Sequence, residues 1–181
     1  IDAVIHIPGL PEPTSFFDET AEDCFEEDIM AAAREVTSVI RLFSSQILSQ
    51  AIDEERGDAQ PRNHSFTHVF ATSALTADVG RYSQSASQSM ALAAARSTSL
   101  DLAAHHIRAN SIVAVRPRAE VEESWLKKRS PSGRQSHAEE VADAAYFLAG
   151  DGGANMIGQS IIMDGGRSYL NGVMPLASDT L

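Results

Sequence analysis

The chain has 181 residues, 43% of them hydrophobic and 22% charged, which is enough length and apolar content for one globular domain with a real core over 1–181. Fourteen basic against twenty-five acidic side chains give a formal net charge of −11, which argues against nucleic acid and anionic membrane surfaces as partners and offers little attraction to an acidic substrate. A single cysteine, Cys24, excludes an internal disulfide and fits a reducing cytoplasm, no apolar run approaches the length of a membrane span, and the first residues lack the charged start of a signal peptide.

Residues 1–7, Ile-Asp-Ala-Val-Ile-His-Ile, form a near-continuous apolar run, the pattern of a parallel strand covered on both faces. Pro8 and Gly9 follow it. Such a strand with nothing beside it would expose unpaired backbone groups along its edge. The expectation is that further units precede it in a longer gene product, or that another polypeptide covers that edge. A loop rich in Pro and Asp runs through Thr20, where Thr20 with Asp23 resembles a helix start. Phe25, Ile29, Ala33, Val36, Ile40, Phe43 and Ile47 then recur at spacings of three and four, predicting a long amphipathic helix over 22–49. The acidic group Glu19, Glu22, Asp23, Glu26, Glu27 and Asp28 reads as its solvated N-terminal face.

Residues 52–65 read as an exposed polar connection, followed by a strand over 66–72 that ends at Ser73. A helix over 83–105, a strand over 107–115, a variable segment 117–136, a helix over 137–149 and a strand over 160–164 complete the chain. Alternating strands and helices imply right-handed crossovers and a parallel sheet. His64 and His68 are four apart, but in a loop entering a strand, with no third ligand near in sequence, they do not make a metal site. His105 and His106 close the long helix, where a cation suits the dipole. The glycine runs Gly150-Asp151-Gly152-Gly153 and Asp164-Gly165-Gly166 follow a helix and end a strand, so they are turns and not phosphate loops.

The run Gln84 to Asn110, QSASQSMALAAARSTSLDLAAHHIRAN, resembles the catalytic helix of the short-chain dehydrogenase/reductase family, which opens with Tyr-x-x-x-Lys and leads into a strand beginning near I-R-x-N. Three further runs resemble the same family in the same order. They are the first strand with its turn at Gly9, the pair Ser130-Pro131-Ser132-Gly133-Arg134 and Glu139-Glu140-Val141-Ala142, and the ending Gly158-Gln159 with Ile161-Ile162-Met163-Asp164-Gly165-Gly166. The resemblance implies a Rossmann-like α/β fold, a doubly wound parallel sheet from the family's fourth strand onward. The first βα units, which would carry the Gly-rich loop and the dinucleotide at a helix N-terminus, are not in this sequence.

On that resemblance Gln84 and Gln88 occupy the Tyr and Lys places, with Ser85, Ala86 and Ser87 between them. Residues four apart share a helix face, so in the family the Lys sits beside the Tyr, lowers its pKa and holds the cofactor ribose. A glutamine amide donates and accepts hydrogen bonds but has no proton to exchange near neutral pH. Gln84 and Gln88 read either as ordinary polar residues at a helix start or as a specialised polar pocket. A register set by Tyr82 would also lack a lysine. The family's catalytic Ser falls on Ser73, which reads as a relic of that role or a plain strand-end hydroxyl; the family's Asn falls among Ala31, Ala32 and Ala33, and its Pro-Gly turn on Ala114 and Val115. Trp125, with Leu126, Lys127 and Lys128, lies where the family carries a substrate lid and would either cover a ligand or pack a small helix onto the body.

The expectation is therefore a chain with no catalytic, cofactor-binding or metal-binding residues of its own. It would be a structural or regulatory subunit of a homo- or hetero-oligomer, joined through helices 22–49 and 83–105 to an active dehydrogenase that holds NAD(P) and acts on an alcohol or carbonyl compound. Two alternatives remain open. One is an enzyme using Ser73 and Tyr82 for altered chemistry, as halohydrin dehalogenases do on this fold, and the other is a divergent active dehydrogenase.

Overall fold

The computed structural model describes residues 2–10, 21–55, 64–77, 79–115 and 127–170. Within them four strands form one parallel sheet in the order β1 (Ala3–His6), β2 (His64–Ala71), β3 (Ile107–Ala114) and β4 (Ser160–Met163). Three helices connect and cover them: α1 (Ala21–Glu55), α2 (Tyr82–Ala103) and α3 (Ala138–Ala149). The parallel sheet with flanking helices is the expected Rossmann-like α/β arrangement.

All eight residues of β2 and all eight of β3 are buried, as expected of inner parallel strands covered on both faces. On one face Phe66, Phe70, Ile107, Ala109 and Val113 pack with Ala32, Val36, Ile40 and Ile47 of α1 and with Ala91, Leu92, Ala95 and Leu102 of α2. On the other face Val69, Ile112 and Ala114 meet Ala145 and Leu148 of α3. Alanines at 91 and 95 leave room for α1 and α2 to approach closely over the first face.

Several boundaries differ from the sequence reading. β1 is not covered on both faces: its burial alternates, and Ile5 is 55% exposed on the side away from Val4 and His6. The physical reason is that α1 packs on the Val4 and His6 face while α3 packs against β2 and β3, so the apolar run reports composition but not the neighbours present. α1 extends to Glu55, beyond the predicted end at 49 and into the predicted connection. Asp53-Glu54-Glu55 are polar without being helix breakers, since glutamate is a good helix former and no Gly or Pro interrupts the run. β2 starts at His64, so His64 and His68 both lie in a strand and on one face of it, not in a loop. Thr20, where the helix start was placed, and Trp125 lie outside the described residues.

The C-terminal half is fastened by polar side chains projecting from β3. Arg108 is buried and donates to four carbonyls at the end of α3: Leu148 O at 2.7 Å, Gly153 O at 2.8 Å, Ala149 O at 3.2 Å and Gly150 O at 3.5 Å. Leu148 O, Ala149 O and Gly150 O are carbonyls that the helix C-terminus leaves without intrahelical partners, and Gly153 O belongs to the turn that follows. Two residues on, Asn110 donates to Met156 O at 2.7 Å and accepts from Gln159 N at 3.0 Å, fixing the entry to β4. Gly158 lies between, at φ +66°, and a Cβ there would stand 2.8 Å from Ser99 Oγ of α2. At the start of α3, Glu140 accepts from the His137 amide at 2.8 Å and pairs with both terminal nitrogens of Arg134 at 2.6 and 2.8 Å. The Arg134 hydrogen bond first, and the His137 amide second, hold the Glu140 carboxyl down to about 2.

Replacing Arg108 with Met keeps the apolar stem and removes every donor. We expect a loss of about 3 kcal/mol, because buried carbonyls lose charge-assisted partners. The urea midpoint measures it, and a shift worth under about 1 kcal/mol would show that water replaces the guanidinium without penalty.

Candidate functional site

The residues singled out by sequence gather at the C-terminal ends of β1 and β2 and the start of α2. β2 ends at Ala71 and continues into a tight helical turn, Thr72–Ala74, that packs on α2. Ser73 sits in that turn, 6% exposed, and its Oγ has no hydrogen-bond partner among the described residues. It is therefore not bonded to Gln84, Gln88 or Tyr82. Ser89 Oγ donates to Ala74 O at 3.1 Å and ties the turn to α2.

Gln88 is wholly buried one turn into α2. Its amide makes two backbone bonds on opposite sides: Oε1 accepts from Ala71 N at 3.2 Å and Nε2 donates to Gly9 O at 3.2 Å. One side chain thus bridges the end of β2 and the turn after β1. The place needs an acceptor and a donor together, which an amide supplies and an ammonium does not. Gln84, 3% exposed, accepts at Oε1 from the Arg81 guanidinium at 3.2 Å. Tyr82 opens α2 with its ring stacked on Phe25 of α1, centroids 5.0 Å apart.

A second set of residues at this end escaped the sequence reading. His6 on β1 and His68 on β2 are register partners, and their Nδ1 atoms are 3.1 Å apart. His6 Nε2 lies 3.2 Å from Glu35 Oε1 on α1, and both Glu35 oxygens accept the Gly9 amide at 3.1 Å. Gly9 is therefore held from its N–H by Glu35 and from its carbonyl by Gln88. Glu35 lies two to four residues beyond Ala31, Ala32 and Ala33. The one sequence signal for this set was a histidine at matching places in two apolar strands, and pairing register had to be known before it could be read.

His68 is fully buried, flanked on its own strand face by Phe66 and Phe70. Burial first, and the neighbouring His6 second, lower its pKa from 6.5 to about 4. Among the described residues no three His, Cys, Asp or Glu side chains converge as a metal site would require.

Two measurements follow from this geometry. The unfolded chain protonates His68 near pH 6.5, whereas the folded chain keeps it neutral down to about 4. The folded-state pKa is depressed, so its effect on stability is absent above pH 6.5 and destabilises the fold as pH falls from 6.5 towards 4, reaching about 3 kcal/mol. Urea midpoints at pH 7 and 4.5 should show a steeper loss for the wild type than for His68→Phe; parallel slopes would sink the assignment. Separately, Gln88→Met should cost about 2 kcal/mol by leaving the Ala71 amide without its acceptor, and Gln88→Lys should cost at least as much. A Gln88→Lys protein as stable as the wild type would contradict the bridging role.

Comparisons with known proteins agree with this fold. A family model described as enoyl-(acyl carrier protein) reductase matches residues 2–168. Short-chain dehydrogenase RED2 of Pyricularia oryzae is 37% identical over 84 residues, a stretch covering 40% of this chain and 30% of that protein. Among solved structures, 4-hydroxyisoleucine dehydrogenase complexed with NADH superposes with a TM-score of 0.79 at 18% identity, over 94% of this chain and 70% of that one. Acetoin dehydrogenase from Enterobacter cloacae gives 0.78 at 16% identity, over 94% and 65%. At those identities the likeness is one of fold, and the chain spans 65 to 70% of the length of these two solved relatives. With the match running through nearly all the described elements, the chain belongs to the short-chain dehydrogenase/reductase family.

Proposed function

We propose that this chain is a catalytically degenerate subunit, a structural or regulatory partner in an oligomeric NAD(P)-dependent oxidoreductase acting on alcohols or carbonyl compounds. The observation that carries this reading is Gln88. At the place where the family holds its lysine, this side chain is fully buried and bonded to two backbone groups. It has neither the charge nor the proton that the family's chemistry uses there. Gln84, at the tyrosine place, is likewise an amide and is bonded to Arg81.

On this reading the cofactor and the reaction belong to an active partner subunit. The contact runs through the outer sides of α1 and α2, where Met30 and Leu42 of α1 and Leu100 of α2 are exposed. The reducing cytoplasm is its expected compartment, in keeping with the lone Cys24. No helix among the described residues is long and apolar enough to cross a membrane.

A second reading is favoured by Ser73, whose buried hydroxyl has no hydrogen-bond partner among the described residues. It makes the chain an enzyme of altered chemistry, with Ser73 polarising a substrate oxygen. Native mass spectrometry of the protein from its own cells separates the two. A complex containing a second dehydrogenase with intact Tyr and Lys supports the subunit reading. A homo-oligomer that binds NADH with a fluorescence change overturns it.

A further inference from the structure

We propose that Glu35, His6 and His68 form a single-proton switch, in which uptake of one proton reverses the direction of the His6–His68 hydrogen bond. Glu35 as a carboxylate only accepts, so the hydrogen between it and His6 belongs to His6 Nε2. A neutral His6 then presents a bare Nδ1, and the 3.1 Å contact requires His68 to donate from its own Nδ1. His68 Nε2 is left as a buried atom without a hydrogen-bond partner among the described residues. The carboxylate thus sets the tautomers of two rings in series, and the second of them is set from two bonds away.

Adding one proton has a defined outcome. The cation settles on His6, which has 10% of its side-chain surface exposed and Glu35 beside it, and not on His68, which is enclosed by Phe66 and Phe70. His6 then carries hydrogen on both nitrogens and must donate from Nδ1. The bridging hydrogen passes from His68 Nδ1 to His6 Nδ1, and the arriving proton ends on His68 Nε2. No bond in the series is lost, and the net gain is one proton from water.

Among the described residues, the groups facing the pair are few. β3 brings Ala109, Ser111 and Val113 to that side, and α2 brings Gln88, Ala91, Leu92 and Ala95, none of them titratable. α1 contributes Glu35 beside Val36, and β2 itself carries His64 four residues before His68 on the same face. Glu35 also grips the Gly9 amide, and Gly9 O receives Gln88, so a change in the Glu35–His6 attraction is felt at the turn that α2 holds.

The test is nitrogen-15 NMR of the histidine rings in the wild-type protein across pH 8 to 5. The expected result is His6 as the Nε2–H tautomer and His68 as the Nδ1–H tautomer at high pH. On acidification His68 should change to Nε2–H in the same step that protonates His6, and the Gly9 amide shift should follow that midpoint. In Glu35→Gln, whose amide can donate as well as accept and so no longer dictates the His6 tautomer, His68 should no longer be held as Nδ1–H at high pH. His68 as Nε2–H at every pH, or unchanged while His6 titrates, would overturn the proposal. So would a Glu35→Gln protein whose ring tautomers match the wild type, or a Gly9 amide that does not move.

Discussion

Burying β2 and β3 on both faces is the constraint from which the rest of this structure follows. A strand pair sealed between two helical layers gives every polar side chain on it a choice between finding a partner and losing its solvation, a cost of about 1–3 kcal/mol per group. Sixteen residues are sealed in this way, and they include Arg108, Asn110 and His68. Each of the three has been turned into a fastening. Arg108 closes the end of α3, Asn110 fixes the loop before β4, and His68 ties the inner strand to edge strand β1 and, through His6, to α1. The sheet's burial therefore organises the connections around it as well as the core.

The two ends of the chain are held by different means as a result. Around α3 the fastening is cationic and directed at helix carbonyls, so it depends little on pH in the neutral range. Around β1 it passes through imidazoles, whose hydrogens can move. The same pressure to satisfy buried polar groups thus yields a permanent clasp on one side of the sheet and a proton-dependent one on the other. β1 lies at the edge of the sheet with Ile5 exposed, and has the greater need of side-chain fastening because its backbone pairs with β2 alone among the described strands.

Much of the fold was legible because hydrophobic period and turn residues carry it. The spacing of Val36, Ile40 and Ile47 marked the buried side of α1, and the run from Ile107 to Ala114 marked β3 almost to the residue. The motif residues at the C-terminal end were legible too, since Arg108, Asn110, Arg134 and Glu140 act within elements that the sequence already separates. What stayed hidden depended on register. His6, Glu35 and His68 are brought together from β1, α1 and β2 by pairing and helix phase, and no local pattern announces it. Polar helical residues such as Asp53, Glu54 and Glu55 were misjudged for a related reason, because polarity reports exposure while helix continuation depends on propensity and breakers. The backbone partners of Gln88 lie far from it in sequence, so what its amide holds is visible only in the structure.

The place that Gln88 fills could not be taken over by a lysine without loss. A lysine amine could donate to Gly9 O, but it would leave the Ala71 amide facing a second donor and would bring an unpaired cation into a fully buried place. Glutamine resolves both demands without charge, and Glu35 on the far side of Gly9 completes the hold on the same turn. The surroundings of position 88 are complementary to an amide, with a backbone donor on one side and a backbone acceptor on the other. A lysine there would require an acceptor for the Ala71 amide and a counter-charge within reach. Gln88 and its backbone partners thus act as one unit, and the position is adapted to holding β1, β2 and α2 together.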